Sequence, residues 1–332
     1  MTHPAPDDAL PGIGDIERAA ETLRPVAVRT PLLESHALNE ALGGRILFKA
    51  EPLQRTGSFK FRGAYTAIAR LPEARRRPGV VAFSSGNHAQ GVAAAARLFD
   101  VPAVIVMPTT APRIKIDNTR DYGAEVVLYD PATEGREAIG ERLSQERGLA
   151  LIRPFDAFDV VCGQGTIGLE IADQAAALGI EVDELHCPCG GGGLIGGIAT
   201  AMHARSPATR LYCVEPEHFD DTRRSLEAGY RMANEPGHET ICDAIVTPRP
   251  GTLTFRINRE LLSGGLTADD EQVMRAMGWA WCHLKLVVEP AGAVALAALL
   301  SDVRSARDKI IAVVCSGGNV DAGLFSRCLT SA

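Results

Sequence analysis

The stretch Val80-Val81-Ala82-Phe83-Ser84-Ser85-Gly86-Asn87-His88-Ala89-Gln90-Gly91 decides how the rest of the chain is read. Four consecutive apolar residues predict a short strand buried on both faces, and the polar turn after them runs into a helical pattern over 89–99. The same unit recurs downstream, with strands at 103–107, 125–129 and 150–152 and helices at 113–122 and 134–146. Continuous apolar strands alternating with amphipathic helices predict a parallel sheet covered on both faces, the α/β class.

Working outward, a long helix is expected from about 165 to 178, then a strand at 185–188, a glycine loop, a helix at 194–204 and a strand at 210–215. Over 229–251 the pattern dissolves into prolines, glycines and charges and reads as loop. Thr267-Ala268-Asp269-Asp270 resembles a capping box opening a helix to about 283, Glu289-Pro290 precedes an alanine-rich helix, and 310–315 is the last strand. Upstream, Asp15 is expected to cap a helix to about 23, and 29–34 is extended because the residue before Pro31 avoids helix. No internal repeat or low-complexity segment is present.

The 332 residues suit about two domains of roughly 150 residues each. A net charge of −7 argues against a nucleic-acid partner, and Arg75-Arg76-Arg77 reads as a solvated loop. The apolar run Ala291 to Leu300 is half the ~20 residues a membrane span needs, and the N-terminus has no hydrophobic signal region, so a cytoplasmic protein without a membrane partner is expected. The eight cysteines lie mostly in apolar runs and read as core thiols. Cys187 and Cys189 beside His186 lack the further pair that a zinc site requires.

Chemistry concentrates at three places. Gly57-Ser58-Phe59-Lys60-Phe61-Arg62-Gly63 puts a lysine at the start of a helical pattern, where a partly desolvated amine loses pKa and can form a Schiff base with an aldehyde. On these seven residues alone, Lys60 reads as a solvated cation near a helix end. Gly190-Gly191-Gly192-Gly193-Leu194 lies between a strand and a helix, where bare backbone N–H groups and the helix dipole suit a phosphate. It lacks the Gly-x-Gly-x-x-Gly spacing and first-strand position of a dinucleotide loop. Ser84 to His88 occupies a second strand-to-helix junction and suits another anion, most naturally an amino acid carboxylate.

Together with Ser316-Gly317-Gly318-Asn319-Val320-Asp321, these motifs stand in the order and spacing of the fold-type II pyridoxal-phosphate enzymes, which nearly the whole chain resembles. That group contains threonine and serine dehydratases, serine racemases and hydroxyaspartate dehydratases. The resemblance implies two open twisted sheets flanked by helices, as in the tryptophan synthase β-subunit. It divides the chain into a large cofactor domain, 1–78 plus 154–332, and a small substrate-gating domain, 79–153.

By the same resemblance Lys60 carries pyridoxal 5′-phosphate as a Schiff base and removes the Cα proton. Phe59 packs on the cofactor ring, Asn87 meets the ring hydroxyl, and the glycines at 190, 191, 192 and 193 with Leu194 hold the phosphate. Ser316 bonds the pyridine nitrogen; a neutral hydroxyl there favours elimination over transamination. Ser84, Ser85 and His88 surround the substrate, and Ser85 matches the residue that serves the opposite carbanion face in serine racemases. Arg136, in Gly135-Arg136-Glu137, resembles an arginine near the active site that can grip a carboxylate with two hydrogen bonds. A surface arginine paired with Glu134 or Glu137 is the other reading. Glu215, the Phe219 carbonyl and Asp221 resemble a Mg²⁺ or Ca²⁺ site, or else form a solvated acidic turn.

The implied activity is dehydration of a 3-hydroxy amino acid of the threonine or serine type to a 2-keto acid and ammonia, in a homodimer or homotetramer. A 3-hydroxyaspartate dehydratase or a serine or aspartate racemase is the alternative. Three departures stand out: Asp243-Ala244 replaces an Asp-Gly, Arg153 stands where histidine is usual, and with the sequence ending at Ala332 the C-terminal regulatory domain of feedback-controlled threonine dehydratases is not expected.

Overall fold

The structure, a computed structural model, describes residues 9–111, 113–302 and 306–330. The described strands are β1 (Leu32–Glu34), β2 (Arg45–Ala50), β3 (Val80–Phe83), β4 (Ala103–Pro108), β5 (Glu125–Tyr129), β6 (Ala150–Leu151), β7 (Glu184–Pro188), β8 (Arg210–Pro216), β9 (Gly264–Ala268) and β10 (Ile310–Cys315). They form two sheets, one of order β5-β4-β3-β6 and one of order β1-β2-β10-β7-β8-β9. Every pairing is parallel except the edge pair of β1 with β2. Two open sheets flanked by helices match the expected fold class.

The two-residue period of a strand divides the large sheet's core. Ile311, Val313 and Cys315 of β10 face the buried helix Pro290–Ser301, while Ala312 and Val314 face the helices Phe158–Ala177 and Gly193–Arg205 through Ile167, Ile171, Ile195 and Ile198. Around the smaller sheet, Val80, Ala82 and Ile105 pack with Ala89 and Val92, but also with Phe61, Ala64 and Ile68 of the helix Lys60–Arg70. The lysine-bearing helix is therefore part of the small sheet's core. A side chain on Gly91 would meet the backbone of Lys60 at 3.1 Å, so the helices Asn87–Leu98 and Lys60–Arg70 pack backbone to backbone.

Three sequence expectations are corrected. The long helix begins at Phe158 rather than near 165. Gly163, Gly165 and Gly168 look like breakers but are packing contacts: added Cβ atoms would lie 2.6, 2.8 and 2.8 Å from the carbonyl oxygens of Arg62, Gly197 and Ile198. The first helix, Ile13–Leu23, is capped at Gly12, and Asp15 reaches back to accept from the Gly12 amide at 3.0 Å. The capping box near 267 is formed by Asp269 and Gln272, because Thr267 and Ala268 belong to β9; its helix, Asp270–Trp279, passes into a wider turn, Ala280–Leu284. Strand β9 and the helices Asp221–Ala228 and Thr252–Leu261 have no counterpart among the expected elements.

Candidate active site

The lysine segment is sutured to the exit of β10. The Phe59 amide donates to the Ser316 carbonyl at 3.1 Å, the Gly318 amide to the Gly57 carbonyl at 2.9 Å, and Ser58 bridges Gly317. Asn319 donates to the Thr56 carbonyl at 2.7 Å, where Thr56 and Gly57 turn the chain with φ of 62° and 70°. Two residues beyond Lys60, the buried Arg62 forks onto both oxygens of Glu51 (2.9 and 2.8 Å) and onto Glu170 (2.7 and 3.0 Å). Lys49, also buried, completes a balanced set of two cations and two anions by donating to Glu170 at 2.6 Å.

One cavity between the sheets' carboxyl ends is lined by Phe59, Lys60, Ser84, Ser85, Asn87, His88, Arg136, the four glycines at 190, 191, 192 and 193, Leu194 and Ser316. All the residues expected from sequence to touch cofactor or substrate thus meet in a single space.

The Lys60 amine donates to the Pro154 carbonyl at 2.8 Å. Desolvation lowers its pKa to about 8, with Glu289 partly opposing the shift, so a nucleophilic fraction exists near neutrality. His88 is buried; desolvation, helped by the charge of Lys60, pushes its pKa down to about 3 and keeps it neutral. Its Nε2 lies 2.9 Å from the Ile152 carbonyl, which can only accept, so the ring proton sits on Nε2 and Nδ1 is bare.

Gly192 adopts φ of 86°, and a side chain on Gly190 would stand 3.0 Å from the Ile245 Cα, so only glycine leaves this backbone open to the cavity. The loop is held from behind, where Thr254 donates to the Gly191 carbonyl at 2.6 Å. Its first-turn N–H groups, at the start of the helix Gly193–Arg205, have no partners within the helix and suit a phosphate. With the Lys60 amine and the Ser316 hydroxyl in the same cavity, the donor set fits pyridoxal phosphate.

Sequence reasoning missed the carboxyl in this cavity. Glu289 is buried and accepts from Asn87 Nδ2, while Asn87 Oδ1 accepts from Asn319 at 2.8 Å. Desolvation raises Glu289 to about 7, against the hydrogen bond from Asn87 and the charge of Lys115. A carboxylate directly before Pro290 looks like a helix cap, which it is by position. Lys115, also unforeseen, lines the cavity and pairs at 3.2 Å with Asp243, the residue of the Asp243-Ala244 departure.

Arg136 opens the helix Arg136–Arg147 and lies 5.9 Å from the Phe83 ring centroid. Its side chain is exposed, as the surface reading expects, but it pairs with neither Glu134 nor Glu137. The acidic turn lies outside the cavity lining. There Glu215 is buried and accepts from the amides of Thr222 and Arg223 at 3.0 and 2.8 Å, capping the helix Asp221–Ala228. Asp221 accepts from Asn234 on one oxygen, and its other oxygen is buried with no hydrogen-bond partner. Desolvation pushes Glu215 well above the usual carboxylate range and Asp221 to about 7. Among the described residues, no three histidine, cysteine or acidic side chains converge as a metal cluster. The buried orphan oxygen is nevertheless an acceptor that a hard cation would satisfy.

The sequence matches the family model described as pyridoxal-phosphate dependent enzyme over residues 23–317. It is 44% identical over 315 residues to an L-threo-3-hydroxyaspartate ammonia-lyase of Pseudomonas sp, covering 95% of this chain and 97% of that one. The fold superimposes on a threonine deaminase of T.th. with TM-score 0.88 and 44% identity, covering 94% and 99% of the two chains. Maize serine racemase gives TM-score 0.90 at 36% identity, with 97% and 98% covered. A lysine amine of lowered pKa facing a phosphate-shaped glycine loop agrees with those likenesses: the chain belongs to the pyridoxal-phosphate dependent enzyme family.

Proposed function

We propose that this protein is a pyridoxal-phosphate dependent ammonia-lyase that dehydrates a 3-hydroxy amino acid, of the threonine, serine or 3-hydroxyaspartate kind, to a 2-keto acid and ammonia. The carrying observation is that Lys60, with its amine brought to about 8, shares one cavity with the glycine loop, Ser316 and the Ser84 to His88 turn. The ammonia-lyase and deaminase likenesses support this reading.

When bound, the cofactor supplies the electron sink that weakens the Cα–H bond and lets the 3-hydroxyl depart. Lys60 would hold the cofactor covalently on Nζ, and its amine is the group placed to take the Cα proton. The N-terminal turn of the helix Asn87–Leu98 binds the α-carboxylate, with Ser84, Ser85 and the neutral His88 around it. Asn87, fixed between Glu289 and Asn319, would orient the ring, Phe59 would pack on it, and Ser316 would offer its nitrogen a neutral hydroxyl. Gly190, Gly191, Gly192, Gly193 and Leu194 would hold the phosphate.

Residues 79–153 act as the gating unit against 1–78 and 154–332. A Mg²⁺ or Ca²⁺ ion is held outside the cavity by Glu215, the Phe219 carbonyl and Asp221, which the orphan Asp221 oxygen supports. Racemisation on the same scaffold is the second reading, favoured by Ser85 sharing the cavity with Lys60. The working assembly is a homodimer or homotetramer in the cytoplasm; among the described residues, no helix is long and apolar enough to cross a membrane.

The test is a keto-acid and ammonia assay on L-serine, L-threonine and the 3-hydroxyaspartate diastereomers, with chiral analysis of the remaining substrate. Stoichiometric keto acid and ammonia from at least one substrate supports the reading. None from any of them, with pyridoxal phosphate bound, refutes it.

A further inference from the structure

Residues 152 to 156 carry the chain from β6 of the small sheet towards the helix Phe158–Ala177, and they touch each part of the site on the way. The Ile152 amide donates to the Val81 carbonyl at 2.9 Å, and the Ile152 carbonyl accepts from His88. The Pro154 carbonyl accepts from Lys60. Phe155 lies against the glycine loop, where a side chain on Gly191 would run into its ring and one on Gly193 would begin 3.1 Å from its Cβ. The strap ends at Asp156, whose φ of 52° is a left-handed conformation that persists where the surroundings impose it.

A distant helix imposes it. The helix Thr252–Leu261 starts after Gly251, which has no side chain to cap it, so its first amides need an acceptor from elsewhere. The Asp156 carboxylate supplies that acceptor across 96 residues of sequence: Thr252 donates to Oδ2 at 2.8 Å, and Leu253 and Thr254 donate to Oδ1 at 2.7 and 3.1 Å. A side chain on Gly251 would collide with this carboxylate, so the residue that cannot cap the helix is also the one that lets the cap in.

The same end of that helix holds the back of the glycine loop. The Gly191 carbonyl accepts from the Thr254 hydroxyl at 2.6 Å and from the Gly251 amide at 3.3 Å, and the Gly192 carbonyl accepts from Asn258 at 3.4 Å. In a planar trans peptide the carbonyl and the following N–H point in opposite directions. These contacts therefore aim the amides of Gly192 and Gly193 away from the helix, and both glycines line the cavity.

We infer that Asp156 is a positioning residue for the cofactor phosphate: by capping the helix Thr252–Leu261 it seats Thr254 on the Gly191 carbonyl and so sets the direction of the loop's amides. The inference rests on the part of the proposed reading that puts the phosphate on the glycine loop. It joins the phosphate site to the strap that also carries the Lys60 acceptor and the His88 acceptor.

The test is calorimetric binding of pyridoxine 5′-phosphate and of pyridoxine to the full chain freed of cofactor. Neither alcohol can form the Schiff base, and the two differ only in the phosphate. Asp156→Ala is expected to raise the Kd of pyridoxine 5′-phosphate about tenfold, within the range of a lost helix cap, and that of pyridoxine less than about threefold. Asp156→Asn keeps one acceptor oxygen and should weaken the phosphate ester about threefold, with pyridoxine unchanged. Thr254→Val removes the hydroxyl on Gly191 but leaves the cap, and should give the same selective loss as Asp156→Ala. The double variant should lose less than the product of the two, because both act through one contact.

Equal weakening of both ligands, as a cap serving stability alone would give, overturns the inference. So does unchanged affinity for pyridoxine 5′-phosphate in Asp156→Ala, or losses that multiply in the double variant. Should Asp156→Ala fail to fold, Asp156→Asn decides alone, and the absence of a selective loss there overturns the inference. The parent separates the two levels. A parent that prefers the phosphate ester while the variants behave like it keeps the glycine loop as the phosphate site and removes only the role of Asp156, whereas a parent that binds both alcohols equally removes the phosphate site as well.

Discussion

The amide of Phe59 donates to the carbonyl of Ser316 at 3.1 Å. That bond fixes the residue before the lysine to the first residue beyond β10, so the two ends of the cavity move as one piece. Gly318 with Gly57, and Asn319 with Thr56, lock the same junction on its outer side. Lys60 therefore needs no support from its own side chain beyond the Pro154 carbonyl.

The buried charges behind this junction should be costly to break. In Arg62→Ala, Glu51 would keep only the Thr30 hydroxyl, at 2.6 Å, among the contacts it now makes to side chains. Urea unfolding is expected to show a loss of roughly 3–5 kcal/mol, with Arg62→Lys recovering only part because it cannot fork onto two carboxylates. A loss below about 1 kcal/mol for the alanine variant would show that water fills the gap without penalty.

Glu289 makes stability depend on pH in a definite direction. Its folded pKa of about 7 lies above the ordinary 4.5, so the folded protein binds this proton more tightly than the unfolded chain does. The stabilisation is complete below pH 4.5 and is lost as pH rises through 7. In cofactor-free protein, Glu289→Gln should remove this fall, on the order of 3 kcal/mol between pH 4.5 and pH 8. Parallel stability curves for parent and variant over that range would rule it out.

The cation proposal turns on the orphan oxygen of Asp221. Thermal unfolding of the parent is expected to drop by several degrees with EDTA and to recover with Mg²⁺ or Ca²⁺, while Asp221→Asn responds to neither. Glu215→Ala is the poorer probe, since it also uncaps the helix Asp221–Ala228. A parent indifferent to EDTA would reduce the turn to a buried structural acid pair.

Ser85 is proposed to serve one face of the carbanion only. Ser85→Ala should lower any racemisation by about 100-fold, within the usual range for a lost acid–base group, and dehydration of the L-substrate by less than about tenfold. Equal losses would deny it that role.

How much could be read in advance follows from the range of each interaction. Strands β3 and β4 were legible because burial on both faces leaves unbroken apolar runs, and the glycine loop because no other residue fits beside Ile245. The start of the helix at Phe158 was not, since Gly163 and Gly165 answer to Arg62 and Gly197, contacts that local sequence does not contain. Glu289 was hidden by its position before Pro290, and Lys115 by a partner 128 residues away. The charges of Arg62, Glu51 and Glu170 likewise meet only after the chain has folded.

The central claim is that Lys60 carries the cofactor. The most direct test is borohydride reduction of the holoenzyme followed by peptide mass mapping of the phosphopyridoxyl group. The account predicts the label on Lys60, with Lys60→Ala unlabelled, without steady turnover, and losing its cofactor on dialysis. A label on another lysine such as Lys115, or sustained turnover by Lys60→Ala, would contradict it.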